Sequence, residues 1–482
     1  MADASSPAPE FRVVDIASCA PEGTLVLDRT NPRDTARRFL EEHYTGDLGR
    51  TLIFDAEHDR FREWTGAKYD VRDAGDVREE VASFIEGALV RHRKQADKPI
   101  YLPFKPRPKD VSDTVTELRS QLHHSGGAPA WTPPDAELPP ADEMVAFDNG
   151  LLHLPTKAWC EPDTRFFCRS ALNFRYSEAP PVGLNGWLGF LQSLWPDDMQ
   201  SIDTLQEIFG LSLTRDTSFQ KAFLIVGPRR SGKGTIARIL RQIVGEDDVA
   251  APTLGDFSTQ FGLAPLTGRR LAIVSDARLS GKADQAAIVE KILSVTGEDK
   301  ITIDRKHRDP VETKLNTRFV ITTNELPALK DTSGAFASRF IVLNIGQSFL
   351  GRENPRLYED LAAELPAIFH WSLEGLERLQ ERGRFIQPQS AAALLEDFED
   401  LGSPVSAFIK DQCALDPSAS IPKAALFQRY RHWCEQKGLR GASSNHFARD
   451  LHAANIPGFD TKRTREGDRQ VPHFCGITME RF

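Results

Sequence analysis

The sequence has 482 residues, 40% of them hydrophobic and 27% charged, with a net charge of -9. At one domain per ~150 residues the length points to about three domains, and the composition excludes a collagen-like, coiled-coil or wholly disordered chain. The acidic balance argues against a protein coated in positive charge, so nucleic acid would have to bind in a local groove or pore.

The start, MADASSPAPE, has neither a basic n-region nor an apolar h-region. No secretory signal is expected, and residues 1–10 read as a disordered tail. No run of ~18 apolar residues occurs, so neither a spanning helix nor a membrane partner is expected. The six cysteines (Cys19, Cys160, Cys168, Cys413, Cys434, Cys475) lie far apart without a CxxC pair. That spacing excludes a zinc ribbon and a dense disulfide frame, and a cytoplasmic location is expected.

Residues 11–141 read as an α+β domain. ARRFLEEHY (35–43) predicts a helix, and TLIFDAEHDRFREWTGAKYDV predicts a hairpin with Trp64, Gly66 and Tyr69 at its turn. VREEVASFIEGALVRHRKQ has Val81, Phe84, Ile85 and Leu89 near helical spacing. Residues 99–141, rich in Pro, Gly and Ala, read as a linker or extended surface segment.

Residues 142–210 begin with a hairpin, FDNGLLHLPTKAWC, turning at Asn149-Gly150, and continue as a helical block. Across 211–385 the apolar run KAFLIV is followed by LAIVSDA, KITIDRK, RFVITTNE and RFIVLNI. Short apolar runs separated by helical segments predict an α/β core with a parallel sheet. Residues 356–382 read as helical. Residues 400–482 read as short helices ending in a strand or hairpin, which suits a small winged-helix domain. From Ile421 onward there are eleven Lys/Arg against six Asp/Glu, including Lys462, Arg463, Arg465 and Arg469. A basic wing around Thr461–Gln470 would grip duplex DNA or be a solvated loop.

The chemistry concentrates in GPRRSGKGT, from Gly227 and Pro228 through Ser231, Gly232, Lys233 and Gly234 to Thr235. It fits a phosphate loop between a strand and a helix. Glycines let backbone N–H groups turn toward phosphate, the helix N-terminus adds its dipole, and Lys233 brings charge to the β and γ phosphates of ATP. Gly234 stands where a hydroxyl usually follows the lysine, so the Mg²⁺ hydroxyl is Thr235, or Ser231 in its place. Asp276 ends the run LAIVSD; it would hold Mg²⁺ through water, or merely cap a helix, and the spacing suggests a strand adjacent to that of the loop. KITID and NTRFVITT read as two core strands joined by the basic segment Arg305-Lys306-His307-Arg308, which is a DNA-contacting tip or a solvated turn. Asn324 falls at a strand's C-terminal end, placed to orient water at the γ-phosphate. Arg339 precedes the next strand and is a candidate arginine finger for a neighbouring subunit.

Taken together, GPRRSGKGT, IVSDAR, TIDRKHRDP, FVITTNELP and ASRF resemble the superfamily 3 helicases of the AAA+ class, and within them the helicase part of phage and plasmid primase-helicases. The resemblance covers about 144–385. NPRDTARRF and FREWTGAKY, in the N-terminal part, resemble the poxvirus-type helicase-associated domain. It implies an AAA+ P-loop core over 211–385, with a helicase-associated segment over 142–210 before it. It implies Lys233 and Thr235 on phosphate and Mg²⁺, Asp276 as the metal-linked acid and Asn324 as sensor. It also implies Arg305, Lys306 and His307 on DNA and Arg339 acting in trans. The implied protein is a ring, a hexamer, translocating on single-stranded or forked DNA in a bacterial or virus-infected cell. Ser275 replaces the second acid common in such helicases, leaving Asp276, Glu290 or Glu298 as the base. No primase module is recognisable, which leaves a separate primase or polymerase as a partner. The rival readings are a partner-remodelling AAA+ ATPase and a P-loop nucleotide kinase.

Overall fold

The computed structural model describes residues 23–92, 100–179, 181, 183–277, 283–306, 308–327, 329, 331, 335–439, 441–454, 456–466 and 469–479. The tail expected over 1–10 lies outside them. The chain forms two compact units, Met1–Leu151 with Trp159–Arg169, and Leu152–Ala158 with Ser170–Phe482. Among the described residues no helix is long and apolar enough to cross a membrane.

In the first unit, α1 (Pro32–His43) starts at Asn31, whose side chain accepts a hydrogen bond from the Asp34 N–H at 3.1 Å. Phe39 and Leu40 bring its apolar face into the core. The expected hairpin is a three-stranded antiparallel meander: β1 (Leu52–Asp55), β2 (Arg60–Trp64) and β3 (Tyr69–Arg72). The second expected helix, α2 (Ala74–Glu86), stops at Gly87, and Leu89 belongs instead to a strand paired with Val26. Residues 99–141 are not simply a linker, because they contain α3 (Pro108–Gln121). Pro108 at its first position, Asp110 accepting the Arg107 N–H at 2.9 Å, and buried Val111, Thr114 and Leu118 at helical spacing explain why it forms.

The Asp55 carboxylate at the end of β1 is fully buried. It accepts hydrogen bonds from Arg62 Nε at 2.8 Å and from Arg169 Nη2 and Nε at 3.1 and 3.2 Å, with His58 Nδ1 3.2 Å away. Three side chains, through four nitrogen atoms, are thereby tied to one buried charge.

In the second unit, α4 (Asn185–Leu194) and α5 (Met199–Ser212) precede a sheet of β4 (Ala222–Val226), β5 (Val249–Ala250), β6 (Leu271–Ser275), β9 (Arg318–Thr323) and β10 (Phe340–Asn344). Its order is β5-β6-β9-β4-β10 and every pairing is parallel. Between β4 and β5 runs α6 (Lys233–Val244); α7 (Gln285–Thr296) follows β6 and α8 (Leu365–Arg382) follows β10. KITIDRK is not part of this sheet. It forms β7 (Ile301–Arg305), paired antiparallel with β8 (Arg308–Thr313) in a separate two-stranded hairpin. The reason is visible in burial: every residue of β9 is buried, as a central strand requires, whereas in β7 and β8 Ile303 alone is buried.

The C-terminal part comprises α9 (Pro404–Gln412), β11 (Cys413–Pro422), α10 (Lys423–Gln436), α11 (Ser444–Ala453), β12 (Asp460–Glu466) and β13 (Arg469–Met479). The strands pair antiparallel in the order β11-β13-β12. Phe408, Tyr430, Trp433, Phe447 and Phe474 make up its core.

Candidate functional site

β4 is buried along its whole length and delivers the chain at its C-terminal end into Gly227–Gly232 and then α6. Two glycines shape this loop. A Cβ on Gly227 would lie 2.8 Å from the Ile345 carbonyl oxygen and 3.0 Å from Ser231 Oγ. Gly232 has φ +87°, a left-handed conformation that favours glycine, and caps α6 with no side-chain hydrogen bond. The first N–H groups of the helix are thus open to a ligand.

Lys233 begins that helix. Its Nζ donates to the carbonyl oxygens of Gly227 at 2.6 Å and Pro228 at 2.8 Å, to Ser231 Oγ at 3.0 Å and to Asn324 Oδ1 at 3.2 Å. All four acceptors are neutral. Burial pulls the lysine below its ordinary pKa. A partly desolvated ammonium with no carboxylate partner among the described residues, beside an uncapped helix N-terminus, suits a phosphate anion.

Ser231, Lys233 and Asn324 therefore meet. Thr235, in the first turn of α6, lines with Gly232 and Arg238 an adjoining cavity of about 530 Å³, whose walls also include Phe190, Phe349 and Tyr358. The Arg238 guanidinium sits over the Tyr358 ring at 5.2 Å. Phe349 is held to the loop by its N–H, which donates to the Arg230 carbonyl at 2.9 Å. Sequence reasoning passed over these residues. The three-residue spacing of Thr235 and Arg238 was the available signal, but the aromatic walls come from other segments, Phe190 from α4 and Phe349 and Tyr358 from more than a hundred residues further on.

Asp276 follows β6, half-buried, with φ +121° and its N–H donating to the Thr322 carbonyl at 3.0 Å. Its strand is not adjacent to that of the loop, since β9 lies between them. The spacing in sequence counted strands in chain order, and the sheet interleaves a later one. Ser275 is exposed and in register with Thr322.

Arg339 lies at the other end of the sheet. Its carbonyl accepts the Ala222 N–H at 2.8 Å, at the start of β4, and its guanidinium donates to Gln220. Glu298 is at that same end, bonded to Thr217 and paired with Lys314 at 2.7 Å, which together hold its carboxyl below the ordinary range. It is therefore removed from this chain's own loop. Glu290 is exposed on α7. In the hairpin, Lys306 is exposed, while Arg305 donates to the Asp309 carbonyl at 2.9 and 3.1 Å. His307 lies outside the described residues.

Residues 225–339, from the loop strand to Arg339, match a family of unknown function, DUF5906. Residues 403–479 match the poxvirus D5 protein-like family. That match falls at the C-terminal end rather than on NPRDTARRF or FREWTGAKY. Those two stretches lie in α1 with its Asn31 cap and in the β2–β3 hairpin. Among solved structures, the chain is similar to an A form apo structure of the NrS-1 C-terminal region. It is 13% identical there with a TM-score of 0.48, covering 88% of this chain and 96% of that one. A second apo structure of the same region (305–718) gives 13% and 0.46, covering 93% and 99%.

Proposed function

We propose that this chain is an ATP-driven DNA helicase with an AAA+ P-loop core of the superfamily 3 type, serving the replication of a phage, plasmid or integrated element. The observation that carries the reading is the Lys233 ammonium at the head of α6, held by neutral oxygens that include the Asn324 amide. The parallel sheet supports it, with β4 leading into the loop and its neighbour β9 leading to Asn324. So does the poxvirus D5 protein-like segment over 403–479.

In this mechanism the N–H groups of the loop and of the first turn of α6 cradle the phosphates, and Lys233 turns from its carbonyls to the β and γ oxygens. The adenosine occupies the cavity walled by Phe190, Phe349 and Tyr358. Asn324 orients the attacking water, and Asp276 is the candidate to accept its proton. Mg²⁺, when bound, supplies positive charge at the phosphate oxygens; the hydroxyls of Ser231 or Thr235 and the Asp276 carboxylate are the groups that would hold it. Arg339 serves the ATP of a neighbouring copy, in head-to-tail contacts that close into a ring, a hexamer. Lys306, with Arg305 and His307 beside it, contacts single-stranded DNA in the hole. The C-terminal part is winged-helix-like.

Purified chain should hydrolyse ATP faster in the presence of single-stranded DNA. Hydrolysis indifferent to DNA would favour a partner-remodelling ATPase, and hydrolysis that requires a small acceptor a kinase. Lys306→Ala should abolish DNA stimulation and strand separation, and should lower the salt slope of single-strand binding by about one. An unchanged slope would remove Lys306 from the DNA path. Arg339→Ala should slow hydrolysis by about 10³-fold while ATP still binds. Mixing it with Lys233→Ala should restore part of the rate, because one mixed interface then has both residues intact. Mixed chains as inactive as their components would exclude action in trans.

A further inference from the structure

We infer that Gln220 and Glu298 form a joint between Arg339 and the β7–β8 hairpin. Gln220 aims the Arg339 guanidinium at the ATP of a neighbouring copy, and Glu298, tied to the base of the hairpin, makes that aim follow contact with DNA. The inference rests on the reading that Arg339 acts in trans, but it gives a role to two residues that touch neither ATP nor DNA.

The first observation is backbone conformation. Among the described residues six non-glycines have positive φ, from +52° to +121°. Arg230 and Asp276 are two of them, at the phosphate-loop end of the sheet. Gln220, at +52°, and Glu298, at +66°, meet at the opposite end. Left-handed backbone favours glycine, so a long polar side chain held there points to a use for the side chain. The order of residues after α7 sharpens this. Gly297, at φ -78°, has a backbone that any residue adopts, while the glutamate takes the next position, where glycine is the usual choice.

The second observation is what those side chains hold. Gln220 Oε1 accepts a hydrogen bond from the Arg339 guanidinium, and its Nε2 donates to the Gly297 carbonyl at 3.4 Å. A Cβ on Gly297 would lie 3.8 Å from Arg339 Nη2, so the guanidinium rests against that turn. The Gln220 N–H donates to the Thr217 carbonyl at 2.9 Å, and the Thr217 hydroxyl donates to Glu298, which pairs with Lys314 at 2.7 Å. Lys314 directly follows Thr313, whose pairing with Ile301 is the last rung of the hairpin. Contacts therefore run unbroken from the hairpin base to Arg339.

The third observation is the kind of bond at each link. The amide that accepts from Arg339 is neutral, so the guanidinium is oriented without being neutralised, as Lys233 is by its own acceptors. The bond from Lys314 to Glu298 joins two charges, and such bonds are about twice as strong as neutral ones. The contact between Gln220 and Gly297 is neutral and, at 3.4 Å, long. A hairpin drawn along by DNA therefore carries the turn at Gly297 and Glu298 with it, and the weaker contact takes up the movement. The Gln220 amide shifts, and the direction of Arg339 shifts with it.

The test uses the full chain and steady-state ATP hydrolysis with and without single-stranded DNA. Gln220→Gly relieves the left-handed backbone and removes the amide. The thermal midpoint should stay level or rise, while kcat falls by about 10- to 100-fold and ATP affinity holds. A merely structural glutamine would move stability and rate the same way. Adding Gln220→Gly to Arg339→Ala should cost nothing further, because both remove one shared contribution. Lys314→Ala should leave hydrolysis without DNA unchanged and lose the stimulation, while the salt slope of single-strand binding is kept. Lys314→Arg, which preserves the pair with Glu298, should retain the stimulation. Gln220→Gly at the parental rate, losses that multiply in the double variant, or full stimulation in Lys314→Ala would overturn the joint. The trans reading fails separately, if Arg339→Ala itself hydrolyses ATP at the parental rate.

Discussion

Lys233→Ala should cut ATP hydrolysis by about 100- to 1,000-fold. In the folded chain the Lys233 ammonium is held ready by four oxygens, none of them charged, so its favourable interaction is reserved for the incoming phosphate. Removing it deletes a charge that strengthens its contacts as negative charge redistributes in the transition state, and single-turnover hydrolysis would read that loss directly. Because burial lowers the pKa of this lysine in the free chain, the alkaline limb of kcat/KM should begin below the ordinary lysine value of about 10.4. The sign for stability is opposite. The folded chain holds this proton less tightly than the unfolded one, so stability rises as pH climbs from the folded toward the unfolded pKa. A Lys233→Ala chain that hydrolyses ATP at the parental rate would remove the loop from catalysis.

Asp55→Asn should destabilise the first unit by about 3–5 kcal/mol, the range for removing one partner of a buried ion pair. Burial by itself would raise the Asp55 carboxyl, but the His58 hydrogen bond, the Arg169 charge and the Arg62 hydrogen bond outweigh it and hold the group far below the usual carboxylate range. An amide of the same shape keeps some hydrogen bonds yet leaves the nearly buried guanidiniums of Arg62 and Arg169 without their shared anion. Since the folded pKa is depressed, this contribution is fully present above the unfolded value of about 3.9 and is lost as pH falls through the folded one. Thermal unfolding of the full chain should therefore show an early transition in Asp55→Asn. The parental protein should keep this part folded in mild acid. Coincident melting curves would show that the network is energetically neutral.

What the sequence made legible was local. The strand–loop–helix around Lys233 is contiguous, and its apolar run and glycines announce it. α1 declares its own start through Asn31 and Pro32. What was not legible depends on pairing between distant segments. Nothing near Asp276 reveals that β9 is inserted between its strand and β4. Nothing in KITIDRK says that Arg308–Thr313, rather than Arg318–Thr323, is its partner; only the alternation of exposed residues hints at it. α3 was obscured by the prolines flanking it, although Val111 and Leu118 keep helical period. The cavity beside the loop draws Phe190, Arg238, Phe349 and Tyr358 from four stretches of chain, and the Asp55 cluster reaches over a hundred residues to Arg169.

Lys233 and Arg339 hang from opposite ends of the same short sheet, separated by a five-residue strand, about 16 Å of rise. On the proposed reading no flexing of loops lets one molecule serve itself, and every molecule is a donor at one pole and an acceptor at the other. Turnover per molecule should then climb with protein concentration before levelling off. A minority of crippled copies should depress the total by more than their share, so mixed inheritance of an inactive allele would behave as dominant rather than recessive.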